Sequence, residues 1–260
     1  MKKRINILIL LFLLGFSIAN AQKGKELILG AGGAFTGVFI MNQNFYGEPE
    51  VNYAPKMGYA ANFNIGYNFD GYAGIMAEVQ YSLQGQKYND KQSMNGTKYE
   101  VDRNISLAYL NFPLFFKYAF GEENTRFRFM VGPQLGLLLD ASQIYDRTPT
   151  VNYGTGPNDF EIPTNLDGEQ FIPNAKEITD RFEKLDYSVA LAVGADFHLS
   201  KQWLLSAGFR MNYGFTDINA PAYRMKDLDN EYKPSHNVWG GIYVSINYKI
   251  DVEGYNQRSF

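Results

Sequence analysis

The chain has no cysteine, only two histidines among its 260 residues, and no long apolar run beyond Ile18. The lack of cysteine excludes disulfide bonds, thiolate metal sites and a lipid anchor on a cysteine. Because no apolar run after Ile18 is long enough to cross a membrane as a helix, membrane-spanning helices are excluded from the rest of the chain. A formal charge of −3 also argues against a nucleic-acid partner, because such partners favour a basic surface.

The first twenty-one residues have the three parts of a secretory signal peptide. Lys2, Lys3 and Arg4 form a positive region, an apolar stretch runs from Ile5 to Ile18, and Ala19-Asn20-Ala21 offers a small-x-small cleavage site. We therefore predict that residues 1–21 are removed on export, with an uncleaved anchor helix as the alternative. Loss of the three leader cations changes the formal charge from −3 to −6. Residues 22–260 then form one domain with a polar tail at 251–260.

The rest of the chain is dominated by segments in which apolar side chains alternate with small or polar ones. Between Gln202 and Phe215, one parity carries mainly aromatic and aliphatic residues and the other carries Ser206, Arg210 and Asn212. Since successive strand residues point to opposite faces, each segment predicts a strand with one apolar and one polar face. Eight segments follow this rule: Glu26 to about Thr36, Gly58 to Phe69, Tyr72 to Gln84, Ile105 to Phe120, Arg126 to Asp140, Asp186 to Leu199, Gln202 to Phe215, and Asn237 to Ile250.

A soluble sandwich can use such strands too, but the signal peptide, the polar second face and the abundant aromatic residues favour a membrane barrel. The chain has 19 tyrosines and 20 phenylalanines, and aromatic rings are enriched at membrane interfaces. We predict an all-β fold: a transmembrane antiparallel up-and-down β-barrel of eight strands. Ten strands are the alternative, because the long segment from Ala141 to Lys184 has room for a further hairpin near Val151 to Tyr153.

Short and long connections alternate along the chain. Three are short: Asp70-Gly71, Gly121 to Thr125, and Ser200-Lys201. Four are long: Gly37 to Met57, Gly85 to Asn104, Ala141 to Lys184, and Thr216 to His236. Outer-membrane barrels have short periplasmic turns and long extracellular loops, which places both termini in the periplasm. Pro113 and Pro133 fall inside strands, where proline removes a ladder donor, so we expect a β-bulge at each.

Three blocks of sequence resemble a known family. They are Tyr109-Leu-Asn-Phe-Pro-Leu-Phe-Phe-Lys-Tyr118, Arg128-Phe-Met-Val-Gly-Pro-Gln-Leu-Gly136 and Arg210-Met-Asn-Tyr-Gly-Phe-Thr-Asp-Ile218. They are similar to the blocks written YLxIPLLLKY, PYxxxGPxxG and RYxxGLTDI in the small outer-membrane barrel proteins often called PorT-like. The resemblance implies an outer-membrane barrel, accounts for both prolines, and implies no shared activity. One branch of that family is tied to a system that secretes proteins across the outer membrane.

Eight ionisable residues have the inward parity: Glu78, Lys117, Arg126, Arg128, Asp196, His198, Arg210 and Lys249. They suit either a gated pore or proton relay, or a lumen that side chains simply fill. An eight-stranded barrel is just wide enough to be filled, and buried charges must then pair. We therefore predict structural filling, with Glu78 and Asp196 neutralising neighbouring arginines.

Other candidate sites have simpler explanations. His236 stands beside Ser235, with Asp217 in the same loop, and a hydrolase or acyltransferase would need such groups in hydrogen-bond contact. Asp159, Glu161, Asp167 and Glu169 could bind calcium, but the spacing of a calcium loop is absent, which favours a solvated acidic loop. Gly30-Ala-Gly-Gly33 resembles a phosphate cradle, but no helix follows it, so we assign these glycines to a crowded barrel wall.

The sequence therefore predicts a non-enzymatic outer-membrane protein without metal or cofactor, with a structural or surface-interaction role through its external loops. One alternative is an accessory subunit of a secretion or envelope machine, and a second is a lipid- or peptide-modifying enzyme around His236. The expected partners are outer-membrane lipid, lipopolysaccharide and envelope or secretion proteins, and the barrel is expected to be monomeric.

Overall fold

The computed structural model describes residues 25–41, 52–69, 71–94, 97–122, 124–151, 176–224, 226 and 231–252. The predicted signal peptide, residues 253–260 of the tail and the whole of 152–175 lie outside the described residues, so the prediction about Tyr153 does as well. Within the described ranges, no helix combines the length and the apolar character needed to cross a membrane.

Eight long antiparallel strands close into a ring. They are β1 (Glu26–Met41), β3 (Lys56–Asn68), β4 (Ala73–Met94), β5 (Thr97–Gly121), β6 (Thr125–Val151), β8 (Leu185–His198), β9 (Trp203–Gly214) and β10 (His236–Asp251). Each pairs with its neighbour in the chain order, and β1 pairs with β10 from Glu26↔Asp251 to Met41↔His236. Two short strands lie alongside: β2 (Asn52–Ala54) pairs with β4, and β7 (Lys176–Glu177) pairs with β6. The predicted eight-stranded antiparallel barrel is confirmed.

Side chains alternate between the two faces of the ring as the parity predicts. On β9, Trp203, Phe209 and Met211 are exposed, whereas Ser206 and Arg210 are fully buried. The same alternation holds on β3, where Phe63 is 75 % exposed. Because burial here means facing the lumen, the apolar parity is left on the outer wall, where acyl chains replace water.

Aromatic rings contact one another around the end of the barrel that carries the short turns, which the sequence predicts to be periplasmic. The ring pairs are Tyr67–Phe69, Tyr72–Tyr118, Tyr118–Phe120, Phe120–Phe127 and Trp203–Tyr248, with centroids 5.1 to 6.4 Å apart. At the opposite end, Tyr213 contacts Phe215 with centroids 5.5 Å apart. Amphipathic rings prefer the headgroup level, so these contacts mark the two edges of the membrane band.

The prediction of a loop from Gly85 to Asn104 was wrong. The described chain continues as β4 to Met94 and resumes as β5 at Thr97, and the two strands stay paired from Gln84↔Leu107 to Met94↔Thr97. Likewise β6 continues through Ala141 to Val151, and β1 continues past Gly37 to Met41. Outside the membrane a strand has no lipid-facing side, so its sequence loses the apolar alternation while its backbone still pairs.

The three long strands therefore project beyond the membrane as a sheet, which we call the extension: β4 from Gly85, β5 up to Leu107, and β6 from Leu139. At about 3.3 Å per residue and a tilt near 40°, its β4 part, from Gly85 to Met94, extends roughly 25 Å along the barrel axis. The segment from Thr216 to His236 does run mostly without strand structure where it is described.

The predicted bulges at Pro113 and Pro133 were wrong as well. The β5–β6 register is the same on both sides of Pro113, from Phe112↔Leu135 to Phe116↔Val131, and the β6–β8 register runs unbroken through Pro133↔Val189. The register shifts lie instead between Ala108 and Tyr109 and between Lys98 and Tyr99. The first of these skips Leu139 on β6, so the bulge sits where that strand leaves the membrane band.

Gly85 lies where β4 passes from one partner to another. The β3–β4 ladder ends at Tyr59↔Leu83, and β2 pairs with β4 from Ala54↔Lys87. Gly85 has φ +123°, and a Cβ there would lie 2.1 Å from the carbonyl oxygen of Ile105. That carbonyl accepts a hydrogen bond from the ammonium of Lys56, which also donates to Ser106 Oγ at 2.8 Å. Only glycine can adopt this φ and leave room for the Ile105 carbonyl where β4 changes its pairing partner.

We expect Gly85→Ala to lower the free energy of unfolding by about 1–3 kcal/mol, through backbone strain and the clash with Ile105. The matched control is Gly37→Ala, since the nearest atom to a Cβ at Gly37 is 3.9 Å away and that site faces outward. Urea titration in detergent, followed by tryptophan fluorescence, measures both variants. Equal stability of the two variants would contradict this account of Gly85.

Candidate functional site

The centre of the lumen is occupied by a buried ion pair enclosed by aromatic rings. Arg210 Nη1 of β9 donates to Glu78 Oε2 of β4 at 2.8 Å, and both side chains are 0 % exposed. The Arg210 guanidinium lies over the rings of Phe115, Tyr243 and Trp239, with its central carbon 4.7, 5.5 and 5.9 Å from their centroids. A desolvated guanidinium is stabilised both by the carboxylate and by the ring faces.

A second buried charge group lies nearer the periplasm. Asp196 of β8 contacts Arg128 Nη1 at 3.1 Å and Lys117 Nζ at 3.4 Å, and it accepts a hydrogen bond from Ser206 Oγ at 2.7 Å. The prediction that Glu78 and Asp196 neutralise neighbouring arginines is confirmed. The other inward residues, Arg126, His198 and Lys249, are only half-buried because they lie at the periplasmic mouth.

Glycines in the wall make room for these large side chains. Gly194 of β8 and Gly208 of β9 face each other, and a Cβ on either would lie 2.7 Å or less from the other's Cα. The strand partners of this pair are Arg128 and Tyr243, whose side chains meet with the Arg128 central carbon 5.8 Å from the ring centroid. Large side chains thus fill the space that the glycines leave, as close packing requires.

The glycines near the start of β1 follow the same rule. A Cβ on Gly30 would lie 2.0 Å from Asn247 Oδ1, and one on Gly32 would lie 2.5 Å from Ser245 Cβ. The interpretation of these residues as part of a crowded wall is confirmed.

A buried carboxylate near the outer end of the lumen has no cation beside it. Asp186 of β8 is 5 % exposed and accepts a hydrogen bond from Asn237 Nδ2 at 3.0 Å. Within the described part of the chain it makes no ion pair, and its Oδ1 has no hydrogen-bond donor. An unpaired buried carboxylate is unfavourable when charged, which sets Asp186 apart from Asp196 on the same strand.

An apolar cluster covers the extracellular end of the lumen. Its buried members are Ile40, Tyr88, Ile105, Leu107, Tyr109, Leu138, Ala141, Ile178, Phe182 and Ile218. Ile178 and Phe182 come from the segment before β8, and Ile218 comes from the segment after β9. These two segments contact each other through the bridge Phe182↔Asn219 and the hydrogen bond from Glu183 N to Ile218 O at 2.7 Å. We call the cluster and the two segments the cap.

Asp217 holds the outer segment of the cap in place. Its carboxylate accepts hydrogen bonds from the Tyr232 hydroxyl, from Ser235 N at 3.1 Å and from Asn219 N at 3.2 Å, and it pairs with Arg224 Nε at 3.0 Å. Asp217 and Ile218 end the sequence block that begins at Arg210. That block therefore joins the central ion pair of the lumen to the fold of the cap.

The geometry does not support the catalytic hypothesis for His236. Ser235 is 0 % exposed and its Oγ accepts from Asn219 Nδ2 at 2.9 Å. His236 lies on the opposite face, where its ring stacks on Tyr213 and its Nδ1 contacts the Thr216 carbonyl at 3.0 Å. Because Asp217 binds the Ser235 amide rather than the imidazole, the three groups do not form the hydrogen-bonded chain that such catalysis requires.

The predicted calcium ligands Asp159, Glu161, Asp167 and Glu169 lie outside the described residues. In the ranges that are described, no group of three or more histidine, aspartate and glutamate side chains could hold a metal ion.

The family comparison agrees with the architecture. Residues 19–220 match the family model described as outer membrane protein beta-barrel domain. The chain belongs to this family. It is therefore an outer-membrane barrel protein, and the predicted location in the outer membrane is supported. A comparison with curated protein sequences finds no match.

Several solved barrels are similar to this chain at low identity. Ail of Yersinia pestis, solved with the heparin analogue sucrose octasulfate, is 11 % identical, with 88 % of this chain and 100 % of that chain covered and a TM-score of 0.39. Neisserial surface protein A is 14 % identical, with 88 % and 100 % covered and a TM-score of 0.37. OprG of Pseudomonas aeruginosa is 11 % identical, with 88 % and 98 % covered and a TM-score of 0.39.

Asp186→Asn and Asp196→Asn are expected to shift stability in opposite directions. The first removes an unpaired buried charge and gives Asn237 an amide partner, so it should raise the free energy of unfolding by roughly 1 kcal/mol. The second leaves Lys117 and Arg128 without their carboxylate and should lower it by roughly 3–5 kcal/mol. Urea titration at pH 7 measures both. Shifts of the same sign would show that charge pairing does not distinguish these residues.

Tyr232 provides a pH test of the cap. Burial, followed by the hydrogen bond to Asp217, raises the pKa of Tyr232 from 10.0 to about 12. Because the folded pKa exceeds the unfolded value, this stabilisation is fully present below pH 10 and is lost as pH rises through about 12. The phenolate absorbance that disappears in Tyr232→Phe should titrate near 12. A midpoint near 10 would mean that Tyr232 is solvated and that the cap is not closed around it.

Proposed function

We propose that this protein is a non-enzymatic, non-conducting barrel whose extension and cap make contacts at the cell surface. The observation that carries the proposal is the filled lumen: Arg210, Trp239, Tyr243 and Phe115 are all nearly inaccessible, and the cap closes the outer end. A closed lumen supports neither transport nor a substrate pocket. The part of the molecule that remains available to partners is the part outside the membrane.

The described outer face of the extension is mostly polar. It includes Lys87, Asn89, Asp102, Asn104 and Ser142, and Lys87 pairs loosely with Asp102 at 4.0 Å. A polar, paired sheet that stands clear of the lipid supports contact with a hydrated surface or a protein partner rather than with the membrane. This is the surface-interaction role expected from the sequence.

The wall supports a monomer surrounded by lipid. Ring closure through β1 and β10 leaves no free strand edge in the membrane band, so no second copy is needed to complete the ladders. Exposed aromatic rings at both ends of the band suit the headgroup levels of phospholipid and lipopolysaccharide, which we propose as the lipid partners.

The PorT-like resemblance supports a second candidate, an accessory subunit of a secretion or envelope machine. The sequence blocks that carry the resemblance map to the wall and to the cap anchor at Asp217, so they account for folding and leave the choice of partner open.

We expect replacement of residues 90–101 by Asn-Gly to shorten the extension without opening the barrel, because Asn89↔Asp102 then closes a two-residue hairpin. Both the full and the shortened protein should show no steady conductance in planar bilayers and should remain folded on unheated gels. Chemical cross-linking on whole cells, followed by purification, should recover partners with the full protein only.

The outcomes separate the candidates. A stoichiometric complex with export components would favour the accessory subunit over a general surface role. Steady conductance of the full protein would contradict the filled lumen. Identical cross-linked partners for both proteins would contradict a role for the extension.

A further inference from the structure

A small cavity opens at the periplasmic mouth of the lumen, the end opposite to the extension. It has a volume of about 10 Å³ and lies among the ends of β1, β3, β5, β6, β8, β9 and β10 and the β3–β4 turn. Three cations line it, namely Lys117, Arg126 and Lys249, together with the carboxylates of Glu26 and Asp196. By this measure the cavity holds about one water molecule.

The ion pairs of the cavity are arranged by depth. Lys249 and Glu26 contact at 3.0 Å with side chains 13 % and 25 % exposed, whereas Lys117 and Asp196 contact at 3.4 Å with side chains 5 % and 3 % exposed. Access therefore comes from the periplasmic side, past Lys249 and Glu26. Both carboxylates already have their own cations, and Asp196 also pairs with Arg128.

Arg126 is not needed to neutralise Glu26 or Asp196, because each of these carboxylates already pairs with another cation. Its Nη1 donates to the carbonyl oxygen of Gly71 at 2.8 Å, and no ion pair joins it to a carboxylate within the described residues. Beside it in the same cavity, His198 has a buried Nδ1 without a hydrogen-bond partner. Among the residues that line the cavity, three cations stand against two carboxylates, so the lining carries a net positive charge.

We propose that the periplasmic mouth binds a carboxylate or phosphate group presented from the periplasm, with Arg126 as its main ligand and Lys249 as the second charge. A guanidinium offers forked donors that match both oxyanions, and a concave site with excess positive charge attracts them. Because the cavity itself has room for about one water molecule, the oxyanion would bind at its opening, against Arg126 and Lys249, and the rest of the ligand would remain outside the barrel. This inference concerns the opposite end of the molecule from the proposed surface contacts and is independent of them.

The test is an NMR titration of the ¹⁵N-labelled full chain in detergent micelles, with inorganic phosphate and with acetate as separate probes and sodium chloride holding the ionic strength constant. We expect saturable shifts of the amides of Gly71, Tyr72 and His198, with the cap amides unchanged. Saturation by phosphate alone, acetate alone or both supports the site and identifies the group it accepts. Shifts that stay linear for both probes would overturn it.

Matched variants separate a specific site from general charge. Arg126→Gln should weaken the apparent affinity at least tenfold, while Lys201→Gln, which removes an exposed cation from a neighbouring turn outside the cavity, should leave it unchanged. Arg126→Lys keeps the positive charge but lacks the forked donors of the guanidinium, so a several-fold loss of affinity is expected. This variant tests the site even if Arg126→Gln does not fold. If Arg126→Lys bound as tightly as the wild type, or if Lys201→Gln lost as much affinity as Arg126→Gln, the proposed site would be overturned and the bound anion would be an adventitious ion only.

Discussion

The need to hydrogen-bond every backbone group inside lipid governs the whole molecule. In the hydrocarbon region no water can satisfy an open strand edge, so the strands must close into a ring. The β1–β10 ladder does this over the full length of both strands, from Glu26↔Asp251 to Met41↔His236. Once the ring is closed, each side chain has one of two surroundings, lipid or lumen, and the alternation along the sequence follows from that choice.

Closure at eight strands makes the lumen narrow, and this narrowness decides the chemistry of the inward residues. Charges cannot reach bulk water there, so Glu78 is paired with Arg210, and Asp196 is paired with Arg128 and Lys117. Space is limiting as well, which is why Gly194 and Gly208 stand next to Arg128 and Tyr243. The pairing of buried charges and the placement of glycines in the wall are therefore both consequences of the small diameter of an eight-stranded barrel.

Sequence reasoning succeeded where one physical rule acted alone. Within the membrane, the parity of the strand Trp203–Gly214 correctly separated lipid-facing from lumen-facing side chains, because lipid and lumen impose opposite preferences. It failed beyond Gln84, where β4 has no lipid to face and its polar residues suggested a loop. It also misplaced the bulge, since Pro113 interrupts the ladder without changing its register. The inward position of Asp186 could have been predicted from the sequence, because it has the same parity as Asp196. Its lack of a neighbouring cation could not, because that depends on packing between strands that are distant in sequence.

The same difference between membrane and outside explains why the cap is apolar although the lumen beneath it is polar. Below the cap, side chains are fixed by strands that already satisfy the backbone, so polar groups can meet across the barrel. Within the cap itself, the segments around Ile178 and Ile218 have few ladder partners and need another source of stability. Burying Phe182, Ile218 and Tyr109 together provides it, and Asp217 then supplies the hydrogen bonds that irregular backbone lacks. A closed outer end thus follows from how these segments fold, without any requirement for gating.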